Sequence, residues 1–251
     1  MQNETTWSDT ESLNYHNAQL GRPKFSTIDF GSYFEENLSK SKNVLDMACG
    51  AGGPTIYLAD LFPRVNFSGL DRDPELLQVA RSHTDSSKSN NPSFIEGDWL
   101  NLEENLLGKF DGVISLQTLS WMETLEAPLK QIFTKIRPEW LGISSLFYEG
   151  DISCQTKVLE HSRRRETYYN TYSLPELDRI SRKFGYELSG FRKFEIPVDL
   201  PKQNEYDRMG TFTLQVEEDK ERKRLQFSGP LLMNWYNVLI KKSASAAQPL
   251  F

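Results

Sequence analysis

The chain has 251 residues, 38% of them hydrophobic, with a net charge of -6 and a pI near 5.3. That length supports one full core plus about 80 to 100 residues for elements that cap a substrate. The acidic balance argues against a nucleic-acid modifier, whose hold on phosphates needs clustered Lys and Arg. No apolar run nears the ~18 residues of a membrane span, and the polar start Met1-Gln-Asn-Glu is unlike a signal peptide. The expected setting is the cytoplasm, with a small-molecule substrate and no nucleic-acid or membrane partner.

In chain order, residues 1–25 are polar with scattered aromatics such as Trp7 and Tyr15. Ile28, Phe30, Tyr33, Phe34 and Leu38 then recur at helical spacing. Residues 1–40 therefore read as an N-terminal helical cover over a cleft. Residues 44–47 form a buried strand that breaks into a glycine-rich turn, and a helix follows over 54–62. A second strand covers 66–70, and Asp73-Pro74-Glu75 opens the next helix with a cap, a first-turn Pro and a favourable acid. After the polar loop 83–92 come a short third strand at 93–96 and a fourth at 110–116, apolar enough to be covered on both faces. A helix over 125–136 stops at Arg137-Pro138, because the residue before Pro is pushed out of the helical region. The fifth strand is 140–147.

Past residue 150 the pattern alternates with period two over 152–159, which reads as a fold-back hairpin. Ser173-Leu-Pro-Glu176 matches a capping box, with Leu174, Leu177, Ile180 and Phe184 on one helix stripe. The last core strands are expected at 191–198 and 231–240, with an inserted hairpin whose arms, 210–215 and 224–228, flank the charged turn 217–223. Strands alternating with helices at these lengths imply an α/β fold with a doubly wound, mostly parallel sheet. The expected organisation is one domain over 1–241: a cofactor-binding core at 41–150, cap insertions at 151–172 and 199–230, and a disordered tail at 242–251.

The most informative stretch is Val44-Leu-Asp-Met-Ala-Cys-Gly-Ala-Gly-Gly53. A glycine turn after a strand lets a ligand approach backbone. In Phe67-Ser-Gly-Leu-Asp-Arg-Asp73 a second apolar run ends in Asp71, where a carboxylate beside the first loop can accept hydrogen bonds from ribose hydroxyls. A dinucleotide fingerprint would need a third Gly where Thr55 stands. Cys49 in this turn reads either as a reactive thiol or as a small filler. Neither cysteine has the CxxC spacing of a metal site or the partners of a disulfide framework.

These two motifs resemble motifs I and II of the class I S-adenosylmethionine-dependent methyltransferases, a likeness that runs over residues 40–150 and extends to uncharacterised bacterial small-molecule members. Ala48 departs from the family pattern, where Gly is more usual. The resemblance implies a seven-stranded sheet, S-adenosylmethionine as cofactor and S-adenosylhomocysteine as product. By position it implies cofactor-binding roles for Asp46, Ala48, Gly50, Gly52, Asp71, Arg72, Asp98, Trp99, Leu116 and Gln117. Asp46 would lie near the amino group, Asp71 on the ribose, and Leu116 with Gln117 at the methionine end. Asp98 would accept from the adenine amine, with Trp99 covering the ring; the alternative for this pair is a helix cap followed by a core Trp.

Methyl transfer from a sulfonium mainly needs alignment and exclusion of water, so a conspicuous base can be lacking. His16, His161, Glu149 and Asp151 are the candidates, each with a surface or structural alternative. Trp121, Tyr148, Arg163, Tyr168 and Tyr169 are the candidate acceptor-binding residues: Arg forks suit an anionic group, and the tyrosines suit a sugar. No grouping has metal-ligand spacing, so metal-independent transfer, preferentially to oxygen, is expected. Two rival readings are a nicotinamide-dependent reductase, which lacks a Tyr-x-x-x-Lys pair here, and a catalytically silent cofactor-binding regulator or partner subunit.

Overall fold

A computed structural model of the chain describes residues 10–84, 90–161, 165–201, 211–218, 221–228 and 234–243. The N-terminal segment forms three helices, α1 (Thr10–Leu20), α2 (Phe25–Tyr33) and α3 (Glu35–Lys40). There follow β1 (Asn43–Met47), α4 (Gly53–Leu61), β2 (Asn66–Asp71), α5 (Pro74–Ser82), β3 (Ser93–Glu96), β4 (Gly112–Leu116), α6 (Glu126–Gln131) and β5 (Trp140–Tyr148). The remainder comprises β6 (Lys157–Glu160), β7 (Arg165–Tyr168), β8 (Tyr172–Ser173), α7 (Leu174–Lys183), β9 (Tyr186–Phe194), β10 (Thr211–Glu218), β11 (Glu221–Ser228) and β12 (Asn234–Lys242).

Seven strands cross the sheet in the order β3-β2-β1-β4-β5-β12-β9, and the two-residue β8 adds beside the end of β5. The strands β1 to β5 run parallel, and β12 lies antiparallel between β5 and β9. This is the doubly wound, mostly parallel α/β sheet expected. Because parallel strands are covered on both faces, two apolar layers form. On one face Leu45, Met47, Val113, Leu141 and Ile143 pack with Leu129, Ile132 and Phe133 and with Leu174 and Leu177 of α7. On the other, Val44, Ile114 and Trp140 pack with Phe30 and Phe34 of the N-terminal segment, Leu38 of α3 and Leu58 of α4.

Local signals placed several elements. Asp73 Oδ1 accepts from the backbone N–H groups of Glu75 and Leu76 at 3.0 and 3.3 Å, and Ser173 Oγ accepts from that of Glu176 at 3.2 Å, so α5 and α7 begin where their caps stand. The N-terminal stretch expected to be helical includes α1 before residue 25, with Leu13, His16, Gln19 and Leu20 half-buried. Three other expectations need correction. The helix over 125–136 loosens into a π-helical turn at Ile132–Ile136, closed by Arg137 at φ +58 before Pro138. The alternation at 152–159 yields a strand only from Lys157, paired with β7, with a lone bridge between Cys154 and Thr171 before it. The strand expected at 191–198 begins earlier, at Tyr186, and ends at Phe194, because its register is set by pairing with β12.

Two hairpins leave the main sheet. One is β6–β7 and the other is β10–β11, which pair antiparallel. The second is tied to the segment after β9 by the Thr213 N–H donating to Leu200 O, by the Leu200 N–H donating to Thr213 Oγ1 and by Arg224 Nε donating to Asp199 Oδ1 at 2.7 Å. Of the residues expected as a disordered tail, Lys242 closes β12 and the Ser243 N–H donates to Gly185 O at 2.7 Å; residues 244–251 lie outside the described residues. No helix among the described residues is long and apolar enough to cross a membrane.

Candidate functional site

The C-terminal ends of β1, β2 and β4 converge on one gap. After Met47 the backbone takes φ +56 at Ala48, +55 at Gly50 and +76 at Gly52, and α4 starts at Gly53 with Pro54 in its first turn. A positive φ at Ala48 costs an L-residue energy that the surroundings must supply, a pattern common at ligand sites. Asp71, at the end of β2, clamps this turn. Its Oδ2 accepts from the Gly50 N–H at 2.8 Å and its Oδ1 from the Asp73 N–H at 2.9 Å. The side chain is 9% exposed, and burial raises its pKa against the pull of those two backbone donors. Each carboxylate oxygen has a further lone-pair direction, so Asp71 can still accept from a pair of ribose hydroxyls.

Asp46 lies deeper, with Oδ2 accepting from Thr55 Oγ1 at 2.6 Å. Burial pushes its pKa up to about 7; the Thr55 bond opposes the shift and the nearby Asp71 carboxylate adds to it. Cys49 packs with Leu77, Ala80 and Phe94, and burial pushes its thiol well up. It is therefore the filler rather than a reactive thiolate.

The glycine turn is shaped by the N-terminal cover as much as by any ligand. A Cβ on Gly50 would lie 2.6 Å from His16 Cε1 and 2.8 Å from His16 Nδ1, so the imidazole occupies the space that the glycine frees. Burial, then the Lys24 charge, holds the His16 pKa down to about 4, with Asp73 pulling the other way. On the far side of the gap, Gln117 follows β4 at φ +61. Its N–H donates to Ser144 O at 2.7 Å, its Nε2 donates to Ser26 Oγ at 2.7 Å, and Lys24 Nζ donates to its Oε1 at 3.3 Å. Lys24 and Ser26 were not singled out from the sequence, because isolated polar residues at the start of a short helix carry no periodic signal; Thr55 was noted only as the residue in place of a third Gly.

After β3, Asp98 is exposed and its Oδ1 accepts from the Leu100 N–H at 2.8 Å. The resemblance implied that Trp99 covers the adenine ring; the side chain is 3% exposed within the main core and its Nε1 donates to Pro128 O at 3.1 Å, which fits the alternative of a core Trp. The apolar side chain left at the surface of the turn is Leu100, 47% exposed. Arg72 is exposed beside Asp71, and Leu116 packs partly buried against the α2 layer.

Of the acceptor candidates, the structure brings Trp121 and Tyr169 together, ring centroids 4.8 Å apart, in a small aromatic cluster with Leu146, Phe194 and Trp235. Tyr168 is partly exposed on β7, and Tyr148 is exposed at the end of β5. Arg163 lies outside the described residues. Among the base candidates, His16 alone is brought to the glycine turn. Asp151 pairs with Arg179 at 2.7 Å on the surface, Glu149 accepts from the Tyr236 hydroxyl at 2.9 Å, and His161 is exposed in the turn after β6. Among the described residues, no three His, Cys, Asp or Glu side chains are grouped to hold a metal ion.

Comparison with known proteins bears on this geometry. A family model described as a methyltransferase domain matches residues 38–212. A malonyl-[acyl-carrier protein] O-methyltransferase of Priestia megaterium is 23% identical over 168 residues, covering 61% of this chain and 59% of the relative. An ajmaline N-methyltransferase of Rauvolfia serpentina is 23% identical over 177 residues, covering 70% and 55%. The chain thus spans little more than half the length of these relatives. Among solved structures, the 1,6-didemethyltoxoflavin-N1-methyltransferase of Burkholderia thailandensis, bound to its substrate and S-adenosylhomocysteine, superposes with a TM-score of 0.58 at 14% identity, over 94% of this chain and 86% of that one. An O-methyltransferase from a polyketide synthase of Brevibacillus brevis gives 0.57 at 10% identity, over 95% and 79%. These likenesses establish the fold.

Proposed function

Because the chain belongs to the methyltransferase-domain family, the class I S-adenosylmethionine-dependent methyltransferases, we propose that it moves a methyl group from S-adenosylmethionine to a small-molecule acceptor by in-line displacement. The observation that carries this reading is the Asp71 clamp on the Gly50 N–H at 2.8 Å, which sets a ribose-binding carboxylate beside the turn at the ends of β1 and β2.

The residues divide the work by position. Asp71 holds the ribose hydroxyls, and the exposed Asp98 takes the adenine amine, with Leu100 in place of Trp99 as the apolar cover. Asp46 faces the amino group. Gln117, fixed from both ends by Ser26 and Lys24, borders the methionine end. When bound, the cofactor supplies a methyl group on a sulfonium, a leaving group good enough that the chain's task is to align the acceptor and exclude water. The N-terminal cover serves the second purpose, since His16 and Gln19 close over Gly50 and Gly53.

We place the acceptor between this gap and the half-buried Trp121, whose ring is backed by the buried Tyr169 and suits an apolar or planar part of a substrate. Oxygen is the favoured methyl acceptor, supported by the O-methyltransferases among the relatives. The test is native mass spectrometry of ligands retained through purification, joined to methyl transfer from isotopically labelled S-adenosylmethionine onto a panel of hydroxylated and carboxylated small molecules. Retention of a nicotinamide dinucleotide instead would overturn the reading. Cofactor retained with no turnover on any acceptor would favour a silent binding protein.

A further inference from the structure

Three features of the N-terminal segment converge on the gap between β1 and β4. The His16 ring fills the space beside Gly50. Lys24 Nζ reaches Gln117 Oε1 at 3.3 Å, across 93 residues of chain. Lys24 also acts electrostatically on His16, so its charge is felt at the glycine turn and at the end of β4 alike. Across the gap stand the carboxylates of Asp46, Asp71 and Asp73, with Asp71 and Asp73 joined through the Asp73 N–H.

The charges are therefore arranged as two poles, acids on the β1–β2 side and an ammonium on the α2–β4 side. A ligand end that carries both an ammonium and a carboxylate is the complement of that arrangement. A Lys ammonium that turns from an amide oxygen to a carboxylate keeps a charge-assisted bond and adds the attraction of two opposite charges. Gln117 retains its Ser26 bond at 2.7 Å when Lys24 leaves, so the exchange does not strand the amide.

We propose that Lys24 is the anchor for the carboxylate of the cofactor's methionyl end, with Gln117 as one resting partner. This rests on the cofactor reading above and adds a residue to it. The cover contributes the cation through the residue that precedes α2, so a segment that reads from sequence as a cover becomes half of the cofactor site.

The test is calorimetric, with two ligands that share adenosine and sulfur. S-adenosylhomocysteine carries the amino-acid end and 5′-methylthioadenosine lacks it. In Lys24→Met, S-adenosylhomocysteine should bind at least about tenfold more weakly, in line with loss of a charged hydrogen bond, while 5′-methylthioadenosine binds within about twofold of wild type. Lys24→Arg should restore most of the loss. An unchanged affinity for S-adenosylhomocysteine, or an equal loss for both ligands, overturns the assignment and leaves Lys24 a structural residue. A wild-type chain that binds neither ligand overturns the cofactor reading itself.

Discussion

Asp71 and Gly50 are 21 residues apart in the chain and are joined by a hydrogen bond of 2.8 Å from the Gly50 N–H to the Asp71 carboxylate. The bond ties the end of β2 to the turn after β1, so the group assigned to the ribose also shapes the loop on which the ligand rests. Ligand affinity and loop order are therefore expected to fail together.

Replacing Asp71 with Ala removes the acceptor of the Gly50 and Asp73 N–H groups. S-adenosylhomocysteine binding should weaken by about 1–3 kcal/mol, with some loss of stability from the freed donors. Asp71→Asn should recover part of both. Calorimetry alongside thermal unfolding measures the two effects, and an unchanged affinity would take Asp71 out of the site.

Asp46 should make cofactor binding pH-dependent. Its folded pKa of about 7 stands above the ordinary value of 3.8, so between these limits the folded, ligand-free chain holds more protons than the unfolded chain. Stability from this group is therefore greatest in acid and declines as pH rises toward 7. A cationic amino group nearby favours the ionised form, so binding near pH 6.5 should release protons, read as a dependence of the calorimetric heat on the buffer's ionisation enthalpy. Asp46→Asn should abolish that dependence.

The slope from His16 has the opposite sign. Its folded pKa of about 4 lies below the ordinary 6.5, so the unfolded chain binds more protons between these values. Its contribution is complete above about pH 6.5 and fades as pH falls toward 4. Amide exchange over α1 should accelerate on acidification through this window, and His16→Phe should flatten the response. A His16 ring signal titrating near 6.5 by NMR would show that the imidazole is not held against Gly50.

Gly50→Ala should displace α1. The new methyl group would sit 2.6 Å from the His16 ring, on a backbone at φ +55 that costs an L-residue about 1–2 kcal/mol. Protease cleavage within 10–20 should rise well above wild type. Protection equal to wild type would mean that the imidazole moves aside freely.

Trp99 and Leu100 should separate stability from ligand binding. Trp99→Ala removes a buried ring and its bond to Pro128 O, and should cost about 3–5 kcal/mol. Leu100→Glu should leave stability within about 0.5 kcal/mol and weaken S-adenosylhomocysteine. The reverse pattern in melting and calorimetry would restore Trp99 as the adenine cover.

Much of the fold was legible because its signals are local. The bounds of β3 at Ser93–Glu96 match those expected, and the caps Asp73 and Ser173 announce their helices within three residues. The edge strand β9 was misplaced because its exposed residues carry little alternation and its register depends on β12, which arrives some forty residues later. The bounds of α1 were not legible because Leu13 and Leu20 share its half-buried side with the polar His16 and Gln19, which meet the glycine turn.

The same division runs through the site. Residue type and short spacing determined the strand, the glycine turn and the acid at the end of the next strand, since each follows from backbone freedom and from the alternation of strands with helices. Tertiary structure decided that the space beside Gly50 belongs to His16, that Trp99 turns inward to Pro128, and that Lys24 meets Gln117 from 93 residues away. Those outcomes depend on which side chains compete for the same volume once the layers close, and linear spacing does not encode that competition.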